Sequence, residues 1–275
     1  MHTRVTVGLA QIDCHLGEVD ANLERHLEWI AKAHDQGVEW LLFPELSLTG
    51  YRLLHLTSRM AMRPASSPVI QKLIEAAGEM TVVVGLVEED EQGVLYNSAV
   101  VLDGGGIRHV HRKLYLPTYG IFQEGRFFGA GDQIDLVRVN GRHLGVLICE
   151  DLWHPELGRR LARAGAKVLA VTSASPGRLG AESKSEGQDI WETVTRSTAL
   201  LNTCWLLYCN RVGWEEGSFY TGCSHIIRPG GQIMARSPFL EEDLLVATID
   251  LREVDRLRWR LPLVRAARSD IEGPT

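Results

Sequence analysis

Gly145-Val146-Leu147-Ile148-Cys149-Glu150-Asp151-Leu152-Trp153 is the stretch on which the reading of this chain turns. Its apolar residues make a short run of the kind found in a buried strand. The run stops at Cys149, two acids follow at once, and Pro155 marks the first turn of a helix over 154–164. A strand, a nucleophilic side chain, a sharp turn and a helix leave that side chain exposed at the turn. The turn's backbone N–H groups can then polarise a substrate carbonyl. Most free cysteines are small buried hydrophobes, but a purely structural one would rarely be followed directly by Glu-Asp. Cys149 therefore reads as a nucleophile.

Working outward, Asn140-Gly141 joins strands over 134–139 and 143–149 as a hairpin. Upstream, 5–12 reads as a strand, 21–36 as a helix, and 39–43 as a short strand stopped by Pro44. A helix over 68–80 precedes strands over 81–87, 94–102 and 107–111. Gly104-Gly105-Gly106 makes the turn between the last two. A glycine-rich loop can also cradle phosphate, but no helix follows and no Lys-Ser or Lys-Thr closes it. Residues 114–132 are irregular, with five Gly or Pro positions, and loops of this length are often functional. Downstream come a strand over 167–172, a helix over 186–201, and strands over 204–210, 224–228, 232–235 and 244–249. A short helix and a polar tail follow. Strands alternate with helices in the first third and hairpins fill the rest. This predicts an α/β class protein, mixed sheets covered by helices, as one domain over 1–275.

Composition sets the outer limits. The chain has 275 residues, 45% hydrophobic and 23% charged, which excludes disordered and low-complexity classes. With 29 Lys and Arg against 35 Asp and Glu, the net charge is −6, so the basic surplus of a nucleic-acid binder is missing. No apolar run reaches the roughly 18 residues of a membrane span. Met1-His2-Thr3-Arg4 leads into a strand rather than a signal-peptide core, which predicts a cytoplasmic protein. Five cysteines, an odd number without a CxxC pair, argue against disulfides and a structural zinc site; Cys14, Cys204, Cys209 and Cys223 are expected to be buried. His109 and His111 alternate on a strand and lack a third ligand, so no metal site is expected.

Two further residues sit at predicted strand ends. Glu45, in Phe43-Pro44-Glu45-Leu46, follows an apolar strand directly, where desolvation makes a carboxylate a usable base; the bland alternative is a capping or solvated Glu. Lys113, in Arg112-Lys113-Leu114-Tyr115, opens the long loop. It is either a solvated surface charge or a fixed cation beside a developing oxyanion.

These three segments, in this order and at these separations, resemble the nitrilase superfamily of carbon–nitrogen hydrolases, which use a Glu-Lys-Cys set. The resemblance runs from Val7-Gly8-Leu9-Ala10-Gln11 to Asp243-Leu244-Leu245-Val246-Ala247. It implies a four-layer αββα sandwich that pairs into a homodimer or larger homo-oligomer, with Glu45, Lys113 and Cys149 as the catalytic residues and no cofactor. It also implies that Glu124, in Phe122-Gln123-Glu124-Gly125-Arg126, holds the lysine and helps position substrate. Lys113 to Phe122, Cys149 to Trp153, Ser173-Ala174-Ser175-Pro176 and Asn210-Arg211-Val212-Gly213 resemble one branch, the glutaminase domain of glutamine-dependent NAD synthetases. In that branch Tyr119 and Glu150 would line a glutamine pocket. Tyr51 and Trp153, with Phe122, would supply apolar walls. The expected activity is cleavage of a small amide to acid and ammonia through a thioester. A nitrilase acting on a small nitrile, or a glutaminase subunit feeding a separate synthetase, remain as alternatives. The tail residues Leu257, Trp259, Leu261, Leu263 and Val264, interleaved with arginines, would lie across a neighbouring subunit or fold onto their own domain.

Overall fold

A computed structural model describes residues 3–177 and 186–268. Met1, His2 and the end of the polar tail lie outside the described residues. The element order is β1 (Arg4–Gln11), α1 (Val19–Asp35), β2 (Trp40–Leu42), α2 (Thr57–Met60), α3 (Pro68–Ala77), β3 (Thr81–Glu89), β4 (Leu95–Asp103), β5 (Gly106–Arg112), α4 (Glu124–Phe127), β6 (Leu136–Val139) and β7 (Arg142–Ile148). Then follow α5 (Pro155–Ala164), β8 (Val168–Ser173), α6 (Glu186–Asn202), β9 (Trp205–Asn210), β10 (Val212–Glu215), β11 (Ser218–Thr221), β12 (His225–Ile227), β13 (Ile233–Arg236), β14 (Asp243–Asp250) and α7 (Arg252–Arg260).

Two six-stranded sheets result, ordered β14-β1-β2-β3-β4-β5 and β13-β12-β9-β8-β7-β6. Each has three parallel strands at its centre, one antiparallel strand on one side and two on the other. No sequence repeat announces this shared pattern. The parallel strands are covered on both faces, which is why they read as unbroken apolar runs.

The period of two along each strand builds the layers. Val83 faces inward, where Val5, Val7 and Leu9 meet Val137, Leu144 and Val146 of the second sheet. Its neighbour Val84 faces outward, with Val82, against Ile30 of α1 and Leu73 of α3. Leu157 and Leu161 of α5 and Ala199 of α6 cover the second sheet. The order is helices, sheet, sheet, helices, the four-layer α/β sandwich. Ser67 caps α3, its hydroxyl accepting from Ile70 N at 3.4 Å, and Pro68 opens the helix. Among the described residues no helix is long and apolar enough to cross a membrane.

Three details depart from the sequence reading. The β10–β11 hairpin was not expected. Its turn, Glu216-Gly217, has positive φ at both residues (47° and 76°), and glutamate rarely leads such a turn. The apolar tail residues do not form one stripe: they begin within the expected short helix, α7, where Leu257 and Trp259, two residues apart, cannot share a face. Trp259 is exposed while Val254 is buried and Val264 packs on the core. Finally, Cys223 is only half-buried, whereas Cys14, Cys204 and Cys209 are buried.

Candidate functional site

β7 carries its apolar run into the core and ends at Ile148. Cys149 then adopts φ 44°, a left-handed conformation that a residue with a Cβ holds only under strain of roughly 1–3 kcal/mol, and a 3₁₀ turn runs on to Trp153. Ser173, the last residue of the adjacent β8, donates its hydroxyl to Cys149 Sγ at 3.3 Å.

Lys113 lies just beyond β5, where its N–H donates to Asn97 O at 2.9 Å. Its ammonium is fully buried, 2.7 Å from Glu45 Oε1 and 2.7 Å from Glu124 Oε1. Burial alone would disfavour the charge. The two carboxylates outweigh it and hold the ammonium well above the ordinary lysine range. Burial pushes Glu124 up to about 7, against the opposing pull of Lys113. Tyr51 also donates its hydroxyl to Glu124 Oε1.

Glu45 sits in the tight loop after β2. Its carboxylate accepts from Lys113 Nζ, from Asn97 Nδ2 at 2.8 Å and from Ala174 N at 2.9 Å. The sequence suggested a carboxylate against apolar surroundings. The structure instead surrounds it with donors. Three of about four lone-pair sites are occupied, leaving one on Oε2 for a proton. The loop can lie this deep because β3 carries glycine beneath it. A Cβ on Gly85 would fall 2.3 Å from Leu46 N and 2.6 Å from Pro44 O.

The thiol of Cys149 is buried, and burial pushes its pKa well up. Glu45 and Glu124 push the same way, while Lys113 and the Ser173 hydroxyl oppose them. For this thiol to act as a nucleophile, a nearby base has to take its proton.

The structure brings Glu45, Lys113, Cys149 and Glu124 into one buried cluster, with Tyr51 attached through Glu124. Tyr119 and Glu150 stand apart on the solvent side, the Tyr119 hydroxyl donating to Glu150 Oε2 at 2.9 Å. Burial and that bond raise the Tyr119 phenol to about 12. Trp153 is 41% exposed and packs edge-on against Trp191, ring centroids 5.4 Å apart. A cavity of about 310 Å³ lies beyond Ser175 and Tyr208, bounded also by Trp191, Asn210, His225 and Phe239; Tyr51, Tyr119, Glu150 and Trp153 do not line it.

Sequence reasoning passed over Asp151, Asn97 and Ser173. Asp151 is fully buried and accepts four hydrogen bonds: from Leu114 N (3.0 Å), Tyr115 N (3.1 Å), Ile148 N (3.0 Å) and His111 Nε2 (2.9 Å). It ties the turn at Cys149 to the chain beside Lys113. His111, read as an unremarkable strand histidine, is thereby committed to this brace. Asn97 had a signal, a polar residue inside the apolar strand run of β4, where burial demands a partner. Ser173 had only its place in the Ser173-Ala174-Ser175-Pro176 segment, which gave it no role, because a serine ending a strand is common.

The carbon-nitrogen hydrolase family model matches residues 6–258. The glutamine-dependent NAD(+) synthetase of Acinetobacter baylyi is 32% identical over 247 residues, 90% of this chain but 44% of that protein. The chain thus spans less than half the length of this relative. The solved glutamine-dependent NAD+ synthetase from Acinetobacter baumannii superposes with a TM-score of 0.81 at 30% identity, covering 91% of this chain and 46% of that one. A carbon-nitrogen hydrolase from Helicobacter pylori G27 superposes with a TM-score of 0.82 at 26% identity, covering 98% of this chain and 97% of its own. By sequence along nearly its whole length and by its two helix-flanked sheets, this chain belongs to the carbon-nitrogen hydrolase family and is an enzyme of the nitrilase superfamily.

Proposed function

We propose that this protein is a cysteine-dependent amidohydrolase that cleaves the C–N bond of a small amide, releasing ammonia. The buried contact of Lys113 with both Glu45 and Glu124, beside the strained Cys149, carries this reading. Glu45 takes the thiol proton at its free lone-pair site, and Cys149 Sγ attacks the amide carbon. Lys113 Nζ and the backbone N–H of Glu150 stabilise the oxyanion. Glu45 returns the proton to the departing nitrogen, ammonia leaves, and a thioester remains. Glu45 then draws a proton from water, whose oxygen attacks the thioester. The acid leaves and the thiol is restored.

The Tyr119–Glu150 pair at the mouth favours substrates with an ammonium or amide group at the far end, such as glutamine or another ω-amide. A site that hydrogen-bonds such a group rejects analogues lacking it, because its polar atoms are left unpaired. The names of the relatives support a second reading, a glutaminase that hands ammonia to a synthetase. The same residues would also serve a nitrilase. The test is kcat/KM for glutamine, an uncharged aliphatic amide and benzonitrile side by side, with ammonia detection. Benzonitrile hydrolysed best would replace the amidase with the nitrilase.

A further inference from the structure

The contact between Ser173 and Cys149 is the end of a longer chain. Tyr208 donates its hydroxyl to Ser173 Oγ at 3.2 Å. Each hydroxyl has one proton to give and lone pairs to accept. With Ser173 spending its own proton on sulfur, Tyr208 must spend its proton on Ser173. The sulfur at the end therefore sets a single direction for both hydroxyls.

We propose that Tyr208 and Ser173 form a one-way donor chain that stabilises the thiolate of Cys149, with Ser173 as a further catalytic residue and Tyr208 as a positioning residue. Hydrogen bonds aligned head to tail polarise one another, so the terminal hydroxyl becomes a better donor than an isolated serine. The chain approaches sulfur from β8 and β9, whereas Lys113 and Glu45 belong to the first sheet. It thus supplies the second sheet's contribution to the nucleophile. It rests on the reading of Cys149 as the nucleophile.

The test is the pH dependence of Cys149 alkylation by iodoacetamide, followed at the Cys149 peptide by mass spectrometry, with fold checked by circular dichroism. The charged and titratable groups acting on this thiol are Glu45, Lys113 and Glu124, with the phenols of Tyr51, Tyr119 and Tyr208; all but the last stay intact in the variants. Ser173→Ala should slow alkylation at neutral pH by roughly tenfold or more and move the midpoint of the profile up by about one pH unit. Tyr208→Phe, which keeps ring and shape, should move it the same way by less. The double variant Ser173→Ala, Tyr208→Phe should match Ser173→Ala alone, because Tyr208 acts only through Ser173. An unmoved profile in Ser173→Ala, or additive losses in the double variant, overturns the proposal. If Ser173→Ala does not fold, an unmoved profile in Tyr208→Phe overturns it instead. Alkylation needs no substrate, so wild-type protein inert toward every amide sinks the amidase reading without touching this one.

Discussion

Gly85 offers a test of how the sheet beneath the Glu45 loop sets the chemistry. It lies within β3, and its requirement is one of space: Leu48 N donates to Gly85 O at 3.0 Å, and the Glu45 loop rests on it. In Gly85→Ala the new methyl would meet Leu46 N at 2.3 Å, Pro44 O at 2.6 Å and Glu45 C at 2.9 Å. All three are backbone atoms, so no side chain can swing away. Restoring ordinary contact needs a movement of about 1 Å in the loop that carries Glu45. Overpacking of this kind costs roughly 1–3 kcal/mol of stability. A misplacement of about 1 Å at a catalytic group costs on the order of 10²-fold in turnover. The control is Gly8→Ala on β1, where the methyl meets only the side-chain ends of Leu41 and Val38 at 3.1–3.2 Å. Urea unfolding and kcat/KM on the best amide should separate the two variants. Gly8→Ala should keep activity with a small stability loss, and Gly85→Ala should lose about a hundredfold in activity while still folding. Folded Gly85→Ala with wild-type kcat/KM would refute the argument that this glycine places Glu45.

Cys149→Ala should keep the fold and abolish turnover, and an acyl adduct should form on Cys149 and on no other cysteine; full activity in the variant would sink the mechanism. Lys113→Ala should lose at least about 10²–10³ in turnover, and Glu45→Gln should be as damaging; a near-normal Glu45→Gln enzyme would show that another group is the base. On acidification, buried His26 and His225, whose pKa values are lowered to about 4, stay neutral while the unfolded chain takes up protons below about pH 6.5. Each should cost roughly 3 kcal/mol of stability by pH 4. Glu124, raised to about 7, acts oppositely and adds stability as the pH falls toward 4.5, so His225→Gln should flatten the unfolding free energy between pH 6.5 and 4.5; a slope unchanged from wild type would refute this assignment. Light scattering at micromolar concentration should give at least twice 30.6 kDa, and a stable monomer would exclude the dimer.

The strands were legible because burial on both faces writes itself as apolar runs, and most predicted bounds fall within two residues of the observed ones. The Cys149 turn was legible for the same reason, since an apolar run that ends in Cys-Glu-Asp is an abrupt change of environment. The layering was not read from periodicity; it came with the family resemblance. The Gly85 signal was present, a lone glycine inside Thr81-Val82-Val83-Val84-Gly85-Leu86, which marks a close backbone approach in a strand. Its meaning depended on which loop lies above it, and no local pattern carries that. The β10–β11 hairpin escaped because its turn lacks the Asn-Gly or Asp-Gly signature.

Asp151 shows where reading along the chain reaches its end. Of the two acids after Cys149, Glu150 accepts from the Tyr119 hydroxyl on the solvent side. Asp151 turns inward and saturates its carboxylate with donors from two different stretches of chain. Two of them, Leu114 N and Tyr115 N, follow Lys113; a third, Ile148 N, precedes Cys149. One buried carboxylate therefore fixes the Lys113 segment of the first sheet against the Cys149 turn of the second. A buried charge without partners would be strongly unfavourable, so the four donors are the condition for its presence there. The spacing between Lys113 and Cys149 is thus held by a residue that need not touch substrate, an aspartate two positions after the proposed nucleophile.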